Sequence, residues 1–302
     1  MGIAVAGLLE GSLRKIHTFQ DYFSHGHLLK TFSKNPHIEY RHADFLFSEG
    51  EWQGNKWDAL DERNPPARTL VVGHSDAIVT EAVVQRIRDL APINTIFASN
   101  LSADALTLPG VFDLPLGIPN RDKSTKIHRV QSSRSVIQLG WVVSRRTAAQ
   151  NFRGIFANFT PRNNLGVRAP ILELVSNQEH LHLGNFRVSR RGRLNDLEKI
   201  AYWGMNICPP GNGPDTHRVW ETLLMGAFPL ILKSDHVFRL LSSLSLPFVA
   251  LDNWTELENK KFLSERFEFL KEQDWNYTPL TNSFWIDRIT KPRPPRTESS
   301  VS

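Results

Sequence analysis

The sequence predicts an α/β protein, and two stretches carry that prediction. In the first, TLVVG (69–73) is a β-branched apolar run that reads as a buried strand. HSD (74–76) follows, then AIVTEAVVQRIRDL (77–90), whose apolar residues Ile78, Val79, Ala82, Val83, Ile87 and Leu90 recur at helical spacing. INTIFASN (93–100) closes the unit as a second strand. In the second stretch, MNICPP (205–210) and FPLIL (228–232) read as parallel strands with DTHRVWETLLMGA (215–227) as the crossover helix. Strand, helix, strand implies a parallel sheet whose functional edge lies at the strand C-termini.

A chain of 302 residues suits two domains. The polar, basic stretch RDKSTKIHRVQSSRS (121–135) reads as the linker. The expected organisation is therefore an N-terminal domain over 1–128, a C-terminal domain over 129–290, and a Pro-rich, disordered tail over 291–302. Within the C-terminal part, GIFANFT (154–160) and LHLGNF (181–186) read as strands, and VRAPILELVS (167–176) and RLNDLEKIAYWG (193–204) as helices. PFVALDNW (247–254) reads as a further strand before a charged helix over about 255–272. Residues 1–65 carry the least legible pattern.

Composition excludes several classes. With 40% hydrophobic and 22% charged residues, the chain is globular rather than disordered. The net charge of +5 and pI of about 9.4 favour anionic partners. The densest basic cluster, RVSRRGR (187–193), comes without a zinc-finger, RRM or P-loop pattern, so no nucleic-acid partner is expected; the cluster reads as a solvated basic loop, with contact to an anionic acceptor or membrane surface as the second reading. Cys208 is the only cysteine, which leaves no internal disulfide and fits a reducing, cytoplasmic setting. No stretch approaches twenty continuous apolar residues, so any membrane contact would be peripheral. His25 and His27, like His180 and His182, lack carboxylates at ligand spacing, and no metal or other cofactor is expected.

The chemistry concentrates in CPPGNGPDTHRVWETLL (208–224). The turn Gly211-Asn212-Gly213 lets the backbone approach a ligand closely. Asp215 or Thr216 can cap the helix that follows, and a helix N-terminus is a ready anion site. Arg218 adds a guanidinium fork suited to phosphate oxygens. Glu221, three residues on along the same face, suits the vicinal hydroxyls of a sugar. Phosphate at the helix start and ribose one turn further in describe a nucleotide.

The run CPPGNGPDTHRVWETLLMGAFPLIL (208–232) resembles the donor-site motif of exostosin-like (family-47-type) glycosyltransferases, close to C-P-R-G-N-G-x-D-T-H-R-x-W-E-A-L-x-x-G-x-x-P. Four other stretches agree in order with bacterial members and with the related ribitol xylosyltransferase domain. GHSD (73–76) resembles T-H-N-S-D, and FASNL (97–101) resembles W-F-A-Q-N-L. LPLGIPN (114–120) resembles I-P-L-G-L-x-N, and ANFTPRNNLGVR (157–168) resembles N-F-S-x-x-T-N-x-x-x-R. The resemblance runs from about residue 70 to about 255, and Pro210 stands where the motif has arginine.

The resemblance implies a GT-B fold, two Rossmann-like domains facing across a cleft, with a nucleotide-sugar donor, most simply a UDP-sugar, bound by the C-terminal one. It implies an inverting, metal-independent transfer to a glycan or glycolipid acceptor, as in polysaccharide biosynthesis. By position, Arg218 would hold the diphosphate and Glu221 the ribose. Asp215 and His217 would shape the phosphate loop or touch the sugar. Arg168 would add a second cation, and Asn158 would orient a hydroxyl. Asp76 is the first candidate for general base and His74 the second, against the plainer role of a helix N-cap. Pro210 motivates a rival reading, a catalytically inactive relative that binds nucleotide sugar or glycan.

Overall fold

The computed structural model describes residues 31–32, 35, 37–42, 47–48, 51–52, 68–73, 76–118, 149, 151–184 and 190–291. These fall into two compact units. One comprises the described residues of Gly117–Thr281; the other comprises those of His25–Leu116 together with Asn282–Ser302. The division falls at residue 116 rather than 128, and the last helix, Asn282–Thr290, joins the N-terminal unit rather than the C-terminal one. The stretches expected to be linker and tail, 121–135 and 292–302, lie outside the described residues, as does His74.

In the N-terminal unit, β1 (Ile38–His42) comes first, followed by a short antiparallel pair, β2 (Phe47–Ser48) and β3 (Glu51–Trp52). Next come β4 (Thr69–Gly73), α1 (Glu81–Leu90), β5 (Thr95–Ala98) and β6 (Val111–Asp113). Four of these strands form a parallel sheet in the order β1-β4-β5-β6. Val84 and Ile87 of α1 pack with Leu70, Val72, Ile96 and Ala98 in one buried core. The helix starts later than its apolar spacing predicts: Thr80 is the N-cap, while Val79 forms an isolated parallel bridge with Leu101. Asp76 therefore lies ahead of the helix in an exposed bend and is not its cap.

In the C-terminal unit, strands and helices alternate throughout. The order is β7 (Ile155–Ala157), α2 (Leu165–Ser176), β8 (Leu181–Leu183), α3 (Arg190–Trp203), β9 (Met205–Ile207), α4 (His217–Leu224), β10 (Phe228–Leu232), α5 (His236–Ser243), β11 (Val249–Leu251) and α6 (Lys260–Glu272). The five strands form one parallel sheet in the order β11-β10-β9-β7-β8. The cluster RVSRRGR, expected to be loop, is helical from Arg190 onward.

Side-chain alternation along each strand sorts the two faces of this sheet. Ile155, Ala157, Met205, Ile207, Leu230 and Leu251 share a core with Ile171 and Val175 of α2 and with Leu263 and Phe267 of α6. The alternate residues face α3 and α4. Lys199 of α3 lies over the Phe156 ring at 5.9 Å, and Asn206 donates to Thr222 of α4 at 3.1 Å.

Strand order then locates the edge that matters. From β7 the chain passes outward to β8, returns to β9 on the other side of β7, and continues to β10 and β11. Between β7 and β9 the connections leave in opposite directions. In open α/β sheets this switch point, at the strand C-termini, is where ligands bind.

Candidate anion and nucleotide site

Two segments leave the sheet at the switch point: Asn158-Phe159-Thr160 after β7 and Cys208-Pro209-Pro210-Gly211 after β9. Arg168, buried at 5% exposure in the first half of α2, ties them together. Its Nε donates to the Pro210 carbonyl (2.8 Å), Nη1 to the Thr160 carbonyl (3.0 Å) and Nη2 to the Pro209 carbonyl (3.2 Å). Asn164, the N-cap residue of α2, donates from Nδ2 to the Gly211 carbonyl (3.2 Å). Three loop carbonyls are thus held by one guanidinium fork, and a fourth by the Asn164 amide. Desolvation by burial, with Arg218 nearby as the next cause, holds the Arg168 pKa below its usual value.

The glycine at 211 is there for space. A Cβ on it would stand 3.0 Å from Arg168 Nη2, whereas its φ lies outside the left-handed region. The turn itself closes by Gly211 N–H donating to the Gly213 carbonyl (3.1 Å), with Asn212 exposed at its tip and Gly213 buried.

Helix α4 is fixed at both ends. Thr216 is its N-cap, and its Oγ1 accepts from Arg218 N at 3.4 Å. Asp215, 4% exposed, accepts from Thr216 N (2.6 Å) and from Trp220 Nε1, which reaches both carboxylate oxygens at 3.0 Å. At the other end Gly226 (φ +70°) forms a Schellman stop, with Gly226 N donating to Leu223 O and Ala227 N to Thr222 O. Behind the first turn, Thr222 Oγ1 donates to the Arg218 carbonyl (2.7 Å) and accepts from Asn206 Nδ2 (3.1 Å). His217 is linked through Nδ1 to the Gly117 carbonyl at 2.6 Å.

On the first turn of α4, Arg218 Nη1 and Glu221 Oε2 lie 3.3 Å apart, with Glu221 3% exposed and Arg218 14%. Arg218 and Glu221 thus pair with each other on one face near the positive end of α4. Lys233, just past β10, pairs with Asp252 at 2.8 Å.

Asn158, one residue beyond the C-terminal end of β7, is 1% exposed, and neither its Oδ1 nor its Nδ2 has a hydrogen-bond partner. It lies on the same side as Phe156, since a Cβ on Gly184 would meet both the Phe156 ring and Asn158 Cβ. An unmade amide pair in the interior costs about 1–3 kcal/mol per group.

The structure brings Arg168, Gly211, Asn212, Gly213, Asp215, Thr216, His217, Arg218, Glu221 and Asn158 to one edge of one unit. It differs from the resemblance at Arg168, whose fork is engaged with loop carbonyls, and at Asp215, which is buried against Trp220. Asp76 belongs to the other unit, in the bend after β4. Sequence reasoning passed over Asn164, Asn206 and Thr222, none of which carries a local signal for its contact.

His25 and His27 lie outside the described residues. His180 bonds the Leu257 carbonyl through Nε2 (2.8 Å), and His182 stacks on Trp203 with ring centroids 3.7 Å apart. Burial, with His180 beside it, lowers the His182 pKa. The Cys208 thiol is buried and pushed up to about 12 by desolvation, which removes it as a nucleophile. Among the described residues, no group of three His, Cys, Asp or Glu could hold a metal ion, and no helix is long and apolar enough to cross a membrane.

The chain is an α/β protein in which the N-terminus of α4 and the loops held by Arg168 meet at the switch point of its five-stranded sheet. No family model matches the chain, and no curated protein matches it.

Proposed function

We propose that this protein is a glycosyltransferase that takes a sugar from a nucleotide sugar, most simply a UDP-sugar, to a glycan or glycolipid. The observation that carries the reading is the Arg218–Glu221 pair on the first turn of α4, at the switch point and above a loop held by Arg168. The GT-B arrangement, with the two α/β units facing across a cleft, is part of the proposal.

In this reading the α4 N-terminus and Arg218 take the diphosphate, and Glu221 accepts from the ribose hydroxyls. The acceptor hydroxyl attacks the anomeric carbon as the bond to the diphosphate breaks. Its proton passes to Asp76, with His74 as the alternative base, and inversion follows from the single displacement. Charge accumulates on the departing diphosphate, where the helix dipole and fixed cations lower the barrier.

The test is release of nucleoside diphosphate from a panel of UDP-, GDP- and CDP-sugars, with and without glycan acceptors, for wild type and Arg218→Ala. Release that depends on Arg218 supports transfer. Pro210, standing where the resembling motif has arginine, favours a second reading, binding without transfer. Nucleotide-sugar binding with no release under any acceptor would favour that one.

A further inference from the structure

Asn100 has a left-handed backbone, φ +58°, and is 1% exposed. A buried residue other than glycine keeps that conformation only where its surroundings fix it, and such residues gather at functional sites. Asn100 lies in the turn that ends β5, at the C-terminal edge of the four-stranded sheet. Before it, Ser99 N donates to the Val72 carbonyl (3.0 Å) and continues the ladder between β5 and β4. The Asn100 carbonyl instead accepts from Val79 N (2.9 Å).

Ser99 and Asn100 are consecutive, yet the residues they hold, Val72 and Val79, stand on either side of segment 73–78. The chain therefore leaves the sheet after β4 and rejoins it at the very next residue of the neighbouring chain. The returning end is firmly held. Buried Val79 accepts at its carbonyl from Ser102 N (3.0 Å) and Ser102 Oγ (3.3 Å), and it bridges Leu101. Thr80, the N-cap of α1, follows directly. Asp76 stands exposed between the two anchors, outside the core. Its position depends on where Val79 is held, and Val79 N is held by the Asn100 carbonyl.

We propose that Asn100 is a positioning residue for transfer: its left-handed turn aims the carbonyl that fixes Val79 and, through it, sets the candidate base Asp76. The inference rests on the transfer reading. It assigns the work to the Asn100 backbone, so glycine, which takes a positive φ freely, should replace it, and a β-branched residue should not.

The test follows UDP release from UDP-glucose, UDP-galactose, UDP-N-acetylglucosamine and UDP-xylose, each with water alone and with mixed malto- and xylo-oligosaccharides. The whole chain is used as wild type, Asn100→Gly, Asn100→Ala, Asn100→Val and Asp76→Asn, with circular dichroism as the check on folding. Asn100→Val should lower kcat at least about tenfold while the KM for the UDP-sugar stays within about twofold. Asn100→Ala, less strained, should fall between wild type and valine, and it carries the test if the valine variant does not fold. Asn100→Gly should recover at least about half of the wild-type kcat. On the Asp76→Asn background, Asn100→Val should cost less than about twofold more, because both changes act through one group. Equal losses in the glycine and valine variants overturn the inference, since they place the role in the side chain. A valine loss that persists undiminished on the Asp76→Asn background overturns it too, as general damage to the unit. Wild-type release with unimpaired Asn100→Ala and Asn100→Val overturns the inference and leaves the transfer reading standing. Wild type that releases no UDP under any of these conditions overturns both.

Discussion

Arg168 Nε donates to the Pro210 carbonyl at 2.8 Å, and the other two guanidinium nitrogens hold the carbonyls of Thr160 and Pro209. One side chain from α2 thus fixes the segments that leave β7 and β9, so the site's shape depends on a residue that acts through backbone. Arg168→Ala should cost about 3–4 kcal/mol in denaturant unfolding, since hydrogen bonds to charged groups contribute about 1.5–3 kcal/mol each and are not additive. Arg168→Lys should recover little of this, because an ammonium cannot span three carbonyls in a plane. Full recovery by lysine would show that charge, rather than the fork, matters.

Trp220 Nε1 bonds both oxygens of buried Asp215, which in turn receives Thr216 N. Trp220→Phe keeps the ring and removes the donor. Loss of about 1.5–3 kcal/mol is expected in thermal or urea unfolding, from a buried carboxylate left short of a partner. A change below about 0.5 kcal/mol would mean that Asp215 needs no help from Trp220.

Much of the site's scaffold was legible because strands and helices there advertise themselves. TLVVG and FPLIL are apolar runs closed by punctuation, and HRVWETLL has a buried face of helical period. The strand β1, IEYRH, alternates charged and aromatic residues at the edge of its sheet, so period and composition disagree and it went unread. Arg168 looked like a phosphate cation because its partners are carbonyls, which leave no mark in a sequence. The switch point follows only from strand order, which pairing reveals and spacing does not. The last helix, NSFWIDRIT, lies far along the chain from the N-terminal unit it joins, and nothing local announces that.

Asp235 sits in the turn from β10 to α5, where burial pushes its pKa from 3.8 to about 6 despite the bond from Leu232 N. Its folded pKa is raised, so between about pH 4 and 6 the folded state holds more protons than the unfolded one. Stability from this group is present at low pH and declines as pH rises through 6. Asp235→Asn should raise stability at pH 7 by about 1–2 kcal/mol, allowing for partial solvent screening, and little at pH 4. Melting temperatures at both pH values check this; a variant destabilised at pH 7 would contradict it.

Cys208 should resist alkylation in the native state. With its thiol pushed from 9.0 to about 12, the folded form stays protonated where an unfolded thiol ionises. Iodoacetamide at pH 8 should label the protein only after denaturation. Stability should fall as pH rises from about 9 towards 12, and Cys208→Ser should remove that part of the slope. Rapid native labelling would show that the strand end opens.

The central claim is that the first turn of α4 binds a nucleotide, and its most direct test is calorimetric titration of UDP into wild type, Arg218→Ala and Glu221→Gln. The account predicts saturable binding by wild type, loss of at least tenfold in affinity with Arg218→Ala, and a smaller loss with Glu221→Gln that disappears when 2′,3′-dideoxyuridine diphosphate replaces UDP. Wild-type binding that survives Arg218→Ala unchanged, or no binding by wild type, would contradict it.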